Sequence, residues 1–293
     1  MNFQRQPALF FGHGNPMNAL AENRFTRAWR AEGERWRARP RAQQARGILV
    51  ISAHHLSREV EVVSLPELPK INDFYGFPAS LSRSAYQAWG DELAADEVAK
   101  TLQARITTNW GLDHGAWSVL MHAWPKPQPG SPIIIPISLP VPSNDTQLES
   151  VAQRLGEGLS KLRDLGWLVL ASGNLVHNLH EVDMSGDLSE RDGLASQSPR
   201  GEASSVGWAE KFEQEILHRI LNWKPGMRLL SLIPEGLQRA HPTAEHLWPL
   251  FPILASVRQD EEARVLIRGI QNASISMATL SWSAPSSGKL DSV

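Results

Sequence analysis

Four short apolar runs stand out along the chain: Pro7–Phe11, Gly47–Ala53, Ile133–Ile137 and Trp167–Ser172. Each is too short for an ordinary helix, rich in branched or aromatic residues, and closed by Gly, Pro or polar positions. That pattern predicts strands buried on both faces. Val60–Val63, Ile106–Thr108 and Ala273–Trp282 predict lesser strands. Elsewhere the apolar positions recur every three or four residues. Over 145–165, Leu148, Val151, Ala152, Leu155, Leu159 and Leu162 make one stripe, with Asp145 able to cap the start and Gly166 the end, so a helix is predicted. Phe25, Ala28 and Trp29 mark a helix within the charged stretch Glu22–Arg46. Further helices are predicted over Ser84–Gln103, over Ser118–Trp124, and through Trp208, Phe212, Ile216 and Ile220. Leu65–Ser80, with Pro and Gly around Asn72-Asp73-Phe74-Tyr75, reads as a loop. Met184–Ser205 has no apolar period and reads as a mobile insertion. Strands alternating with helices, without repeats or a linker between two cores, predict one α/β domain over 1–293. Its central sheet is mostly parallel or mixed, with flanking helices.

Composition narrows the function. The 293 residues are 42% hydrophobic and 20% charged, ordinary for a globular chain, and the net charge of −2 gives no basic field for a phosphate backbone. Nucleic acid is therefore not an expected partner. Cysteine is absent, which excludes disulfides, thiolate metal sites and a cysteine nucleophile; a transition metal must be held by His, Asp or Glu. The least charged stretch, 127–144, contains six prolines, so no membrane span is expected. The N-terminus lacks the long apolar run of a signal peptide, and a cytoplasmic address is expected.

The histidines supply the candidate chemistry. Sites in open α/β sheets form just past the carboxyl ends of strands, and three of the four main runs end at or near a histidine. His13 lies between Gly12 and Gly14, a setting that fits either a close ligand approach or a tight structural turn. His54 and His55 follow the second run; if both continue the strand they face opposite ways, so one is a ligand candidate and the other packs. His177 lies five residues beyond Ser172 and would share a helical face with His180. In Asp113-His114-Gly115, Asp113 can cap the following helix, which leaves His114 as either a site residue or a surface one. His241 and His246 are five apart and could not share a site on one helix. His246 precedes Leu247-Trp248-Pro249-Leu250 and sits at the edge of a buried element, whereas His122 and His218 read as surface residues. Trp110, Trp117 and Trp248 could line an aromatic pocket. No Gly-rich phosphate loop, G-x-S-x-G elbow or H-E-x-x-H pair is present.

Six segments in order carry a resemblance: Phe10–Met17 (FFGHGNPM), Ser52-Ala53-His54, Asp73–Pro78 (DFYGFP), Gly111–Trp117 (GLDHGAW), Ala171–Leu179 (ASGNLVHNL) and Pro242–His246 (PTAEH). Together they resemble the DOPA 4,5-dioxygenase-like branch of the class III extradiol ring-cleavage dioxygenases, which share the fold of the catalytic subunit of protocatechuate 4,5-dioxygenase. The resemblance implies a non-haem, metal-dependent oxidoreductase of aromatic metabolism that opens a catechol, such as 3,4-dihydroxyphenylalanine, with O₂. It implies one metal near the strand ends held by His13, His54 and a third group. That group is a glutamate in much of the wider class and matches His246 here. His177 is implied either as a further ligand or as a base beside the metal, and His114 as a contact to substrate or O₂. Asp113 could orient a site residue. Fe(II) suits the chemistry and Zn(II) suits the same imidazoles. The expected partners are a small catechol and O₂, and the expected assembly is a monomer or weak dimer. Two alternatives stay open at this point: a catalytically silent metal-binding or interaction protein of the same fold, and a zinc-dependent hydrolase.

Overall fold

In the computed structural model, which describes residues 3–125, 131–183 and 205–285, the four apolar runs become β1 (Ala8–Gly12), β2 (Gly47–Ser57), β5 (Ile133–Pro140) and β6 (Trp167–Gly173). They lie side by side in parallel as β5-β2-β6-β1. Beyond β5 the sheet continues through β3 (Glu61–Val63), antiparallel to it, and β4 (Arg105–Thr107). Beyond β1 it continues through the antiparallel β8 (Thr279–Ser283) and then β7 (Glu262–Ile267), giving the order β4-β3-β5-β2-β6-β1-β8-β7. The sheet is mixed, with a parallel centre.

Alternation along the central strands fills two cores, because successive side chains leave opposite faces. Ala8, Phe10, Leu49, Ile51, Trp167, Val169 and Ala171 face one core. Against it pack α2 (Glu92–Leu102), α4 (Asp145–Asp164), α5 (Ser205–Asn222) and α6 (Leu250–Ala255). Leu9, Phe11, Ile48, Val50, Leu168 and Leu170 face the other, covered by α1 (Arg24–Arg37) and α3 (His114–Ala123). No helix among the described residues is long and apolar enough to cross a membrane.

Several local readings change. β2 runs on through His54-His55 to Ser57 instead of stopping at Ala53. α1 is bounded by a capping box of Asn23 and Thr26 and ends before Pro40, well inside the charged stretch. α2 starts only after Asp91, whose side chain accepts from Ala94 N–H, so 84–91 is not helical; Ala88–Trp89 instead pairs with Glu67–Leu68. Asn144, not Asp145, caps α4. His177 and His180 share no helix: His177 sits in a β-bridge with Ile275, and His180 is exposed in a 3₁₀ turn. His122 is not a surface residue but is buried, with its Nε2 2.8 Å from the carbonyl oxygen of Asn18. The stretch read as an insertion, Met184–Ser205, lies outside the described residues up to the start of α5.

Candidate metal centre

Strand register assembles the site. Phe11 pairs with Ser172, and Ser52 pairs with Ser172 on the other side. Just beyond these pairs, His13 and His54 bring their rings together at the carboxyl edge, centroids 5.2 Å apart. Gly14, at φ +65, turns the chain away immediately after His13. The start of α3 closes over this edge from above, with Asp113 as its cap. His13, His54 and His114 there offer ligand atoms all within 4.8 Å of one another. His55 turns away from the cluster and stacks on Trp110 with ring centroids 4.8 Å apart.

Hydrogen bonds decide which imidazole nitrogen is free. The Ser172 hydroxyl has a single proton and donates it to the Gly115 carbonyl (2.6 Å). Toward His13 Nδ1, 2.9 Å away, Ser172 must therefore accept, so Nδ1 carries the proton and Nε2 is a bare lone pair. The Nδ1 of His54 faces Asp73 Oδ2 at 3.5 Å, which favours the same arrangement. Its Nε2 lies 3.2 Å from that of His13. Two lone pairs this close repel each other unless a cation lies between them. Two bonds of about 2.1 Å from one ion, meeting between a right angle and a tetrahedral angle, end roughly 3.0–3.4 Å apart. The pair fits a single metal.

The segment 241–246 approaches from the side. The Asn174 N–H donates to the His246 carbonyl (2.8 Å), and a Cβ at Gly173 would lie 2.3 Å from that oxygen, so only glycine admits the segment there. The His246 ring is 5.4 Å from that of His13 and 4.9 Å from that of His54. Its Nδ1 meets Glu245 Oε1 at 3.2 Å, while its Nε2 is buried with no protein partner among the described residues. His177 stacks on His246 at 3.4 Å, and His177, Glu245 and His246 form a second group of potential ligand atoms within 4.8 Å. His241 turns away and bonds the Leu175 carbonyl through Nε2 (2.9 Å).

Electrostatics match. Burial first, then the neighbouring histidines, hold His13 and His246 well below the ordinary imidazole range. Burial, reinforced by His114, lowers His54 to about 4 although Asp113 and Asp73 oppose it. Burial and then His241 lower His177 to about 4. Neutral imidazoles with acceptors behind Nδ1 and open Nε2 atoms are what a divalent transition metal binds.

His13, His54, His114, His177 and His246 thus come together from separate segments, and His114 is buried. Asp113 does not touch the cluster. It accepts from Ser52 Oγ (2.5 Å) and Ala116 N–H (3.2 Å), a capping role. The acids beside the histidines are Asp73, at His54 and His114, and Glu245, at His246. Trp117 and Trp248 are tied by their indole N–H groups to the carbonyls of Ile71 (2.9 Å) and Pro140 (2.7 Å), and Phe74 lies between Trp117 and His114.

A mixed α/β sheet with clustered imidazoles at its carboxyl edge defines a metalloenzyme frame. Residues 8–274 match the family described as the catalytic LigB subunit of aromatic ring-opening dioxygenase, and the chain belongs to that family of dioxygenases. It is 34% identical over 288 residues to the 4,5-DOPA dioxygenase extradiol of Escherichia coli (strain K12), covering 96% of each chain. It is 27% identical over 268 residues to the 4,5-DOPA dioxygenase extradiol of Beta vulgaris, covering 88% of this chain and 89% of that one. The crystal structure of an uncharacterized Escherichia coli K12 protein superposes with a TM-score of 0.69 at 29% identity, over 94% of this chain and 99% of that one.

Proposed function

We propose that the chain opens the ring of a 3,4-dihydroxyphenyl compound beside its diol, inserting both atoms of O₂ and leaving a muconic semialdehyde. In this reading residues 1–293 form one catalytic domain, working in the cytoplasm as a monomer or weak dimer. His13, His54 and His246 hold the metal, with His177 at or beside it. The observation that carries the assignment is the pair of facing Nε2 atoms of His13 and His54 at 3.2 Å. Fe(II) bound there supplies the charge that favours a catecholate and the redox link between diol and O₂.

The protein's own groups manage the protons. His177, half-buried and neutral near pH 7, takes a phenolic proton as the diol binds. His114, whose Nδ1 faces the Asp73 carboxylate at 3.0 Å, turns its Nε2 to the site, where it can take up and return a proton of the substrate oxygens. Phe74 and Trp117, packed behind His114, keep water from that side.

Anaerobic loading with Fe(II) or Zn(II), metal analysis, and O₂ uptake with catechol and 3,4-dihydroxyphenylalanine test the proposal. The iron protein is expected to consume O₂ and form a yellow semialdehyde. The zinc protein, lacking redox chemistry, is expected to be inert. His177→Ala or His114→Ala is expected to lose at least ~10²-fold in turnover. Fully iron-loaded protein that takes up no O₂ with either catechol would refute the reading.

A further inference from the structure

Asp73 lies in an irregular segment, far along the chain from every strand end that builds the site, yet its carboxylate reaches two of the histidines. Oδ1 accepts from the backbone N–H of His114 (2.9 Å). Oδ2 stands 3.0 Å from His114 Nδ1, in a bent contact, and 3.5 Å from His54 Nδ1. The segment is held from both sides. Ile71 N–H donates to Leu112 O (2.7 Å), Trp117 Nε1 donates to Ile71 O (2.9 Å), and the Phe74 ring packs edge-on against His114. The bond from the His114 backbone N–H occupies Oδ1 and leaves Oδ2 turned to the two rings. An ionised carboxylate is an acceptor only. Each Nδ1 that faces it is therefore favoured as N–H, which leaves Nε2 as the nitrogen open to a metal or substrate.

We infer that Asp73 is a positioning residue whose single carboxylate fixes the tautomers of both His54 and His114. The inference rests on the metal site proposed above. It makes the two histidines a coupled pair: one acid presents the ligand nitrogen of His54 and the acid–base nitrogen of His114 together.

The test is ¹⁵N NMR of histidine-labelled, metal-free protein near pH 7.5, with zinc affinity measured by chelator competition. In the wild type, His54 and His114 are expected as Nδ1–H tautomers. Asp73→Asn keeps the size and one acceptor atom but turns an amide N–H toward Nδ1. Both rings are then expected to switch to Nε2–H, with His55 and His241 unchanged, and zinc affinity is expected to fall about 10–100-fold. A wild-type His54 or His114 found as Nε2–H would overturn the inference without any variant having to fold. So would a D73N protein with unchanged tautomers, or one with switched tautomers and unchanged zinc affinity. None of these readouts needs turnover, so loss of ring-opening activity alone would count against the proposed reaction and not against the role of Asp73.

Discussion

Replacing Ser172 with Ala tests the tautomer argument at His13, the other proposed ligand. The hydroxyl is fully buried and makes two bonds, donating to Gly115 O at 2.6 Å and accepting from His13 Nδ1 at 2.9 Å. Ala removes both and adds nothing. Gly115 O and His13 Nδ1 are left without this partner, and each orphaned buried group costs about 1–3 kcal/mol of folding stability. The effect on the metal is separable. Without an acceptor at Nδ1, His13 no longer favours the tautomer that frees Nε2. Losing such a partner typically weakens metal binding 10–100-fold, or about 1.4–2.7 kcal/mol. Zinc competition against a chromophoric chelator reads this directly, with thermal unfolding run in parallel. Ser281→Ala is the control: Ser281 is also buried in the sheet, but its Oγ has no hydrogen-bond partner among the described residues. The expected outcome is a loss of at least tenfold in zinc affinity for S172A and none for S281A. An S172A protein that folds and binds zinc within twofold of wild type would refute the reasoning.

Two further outcomes concern stability. Arg163 and Glu261 form a buried ion pair in which the guanidinium also donates to the carbonyls of Gln6 (2.9 Å), Ser256 (3.0 Å) and Trp282 (3.2 Å), so Glu261→Gln should cost about 3–5 kcal/mol in urea unfolding, and a loss below ~1 kcal/mol would contradict the pairing. Burial lowers His55 to about 3 and His241 to about 4, so the unfolded chain takes up protons below pH ~6.5 while the folded one does not. Stability is thus retained above that pH and lost as pH falls toward the folded values. Each residue is expected to remove about 2 kcal/mol between pH 6.5 and 5, seen as a falling urea midpoint that His55→Phe makes shallower.

Much of the centre was legible because strands write their own geometry. The ends of the apolar runs mark His13, in its Gly-His-Gly turn, and the pair His54-His55; alternation alone does not separate the last two, because the pairing of β2 with β5 shifts register between Ile51 and Leu56. Asp73 begins the DFYGFP segment that carries part of the resemblance, but its contact with the histidines was not legible. It reaches His114 across 41 residues of sequence through a segment with no periodicity, so no spacing rule connects the two. Asp113 beside His114 was the tempting choice, and its capping duty removed it. Glu245 did leave a signal, an acid directly preceding a candidate ligand. The strand β7 was missed because its half-exposed residues mix charged and apolar positions and resemble a surface loop. His122 escapes the sequence because its partners, the Trp29 ring and the Asn18 carbonyl, lie about a hundred residues away along the chain.

The bond from Asn174 N–H to the His246 carbonyl, beside Gly173, sets a schedule for the newly made chain. Ser172 meets His13 across 159 positions, and His246 arrives later still. A nascent chain therefore exposes isolated imidazoles for most of its synthesis, each a weak ligand in solvent. Only after β6 has inserted beside β1, and the 241–246 segment has docked on it, do the donors converge. Such long-range contacts form late in folding, and binding at a site absent from the unfolded chain adds to the stability of the finished protein. If the proposed ligand set holds, metal capture is thereby coupled to completion of the sheet, and a chain stalled before residue 246 has only the donor group of His13, His54 and His114 complete.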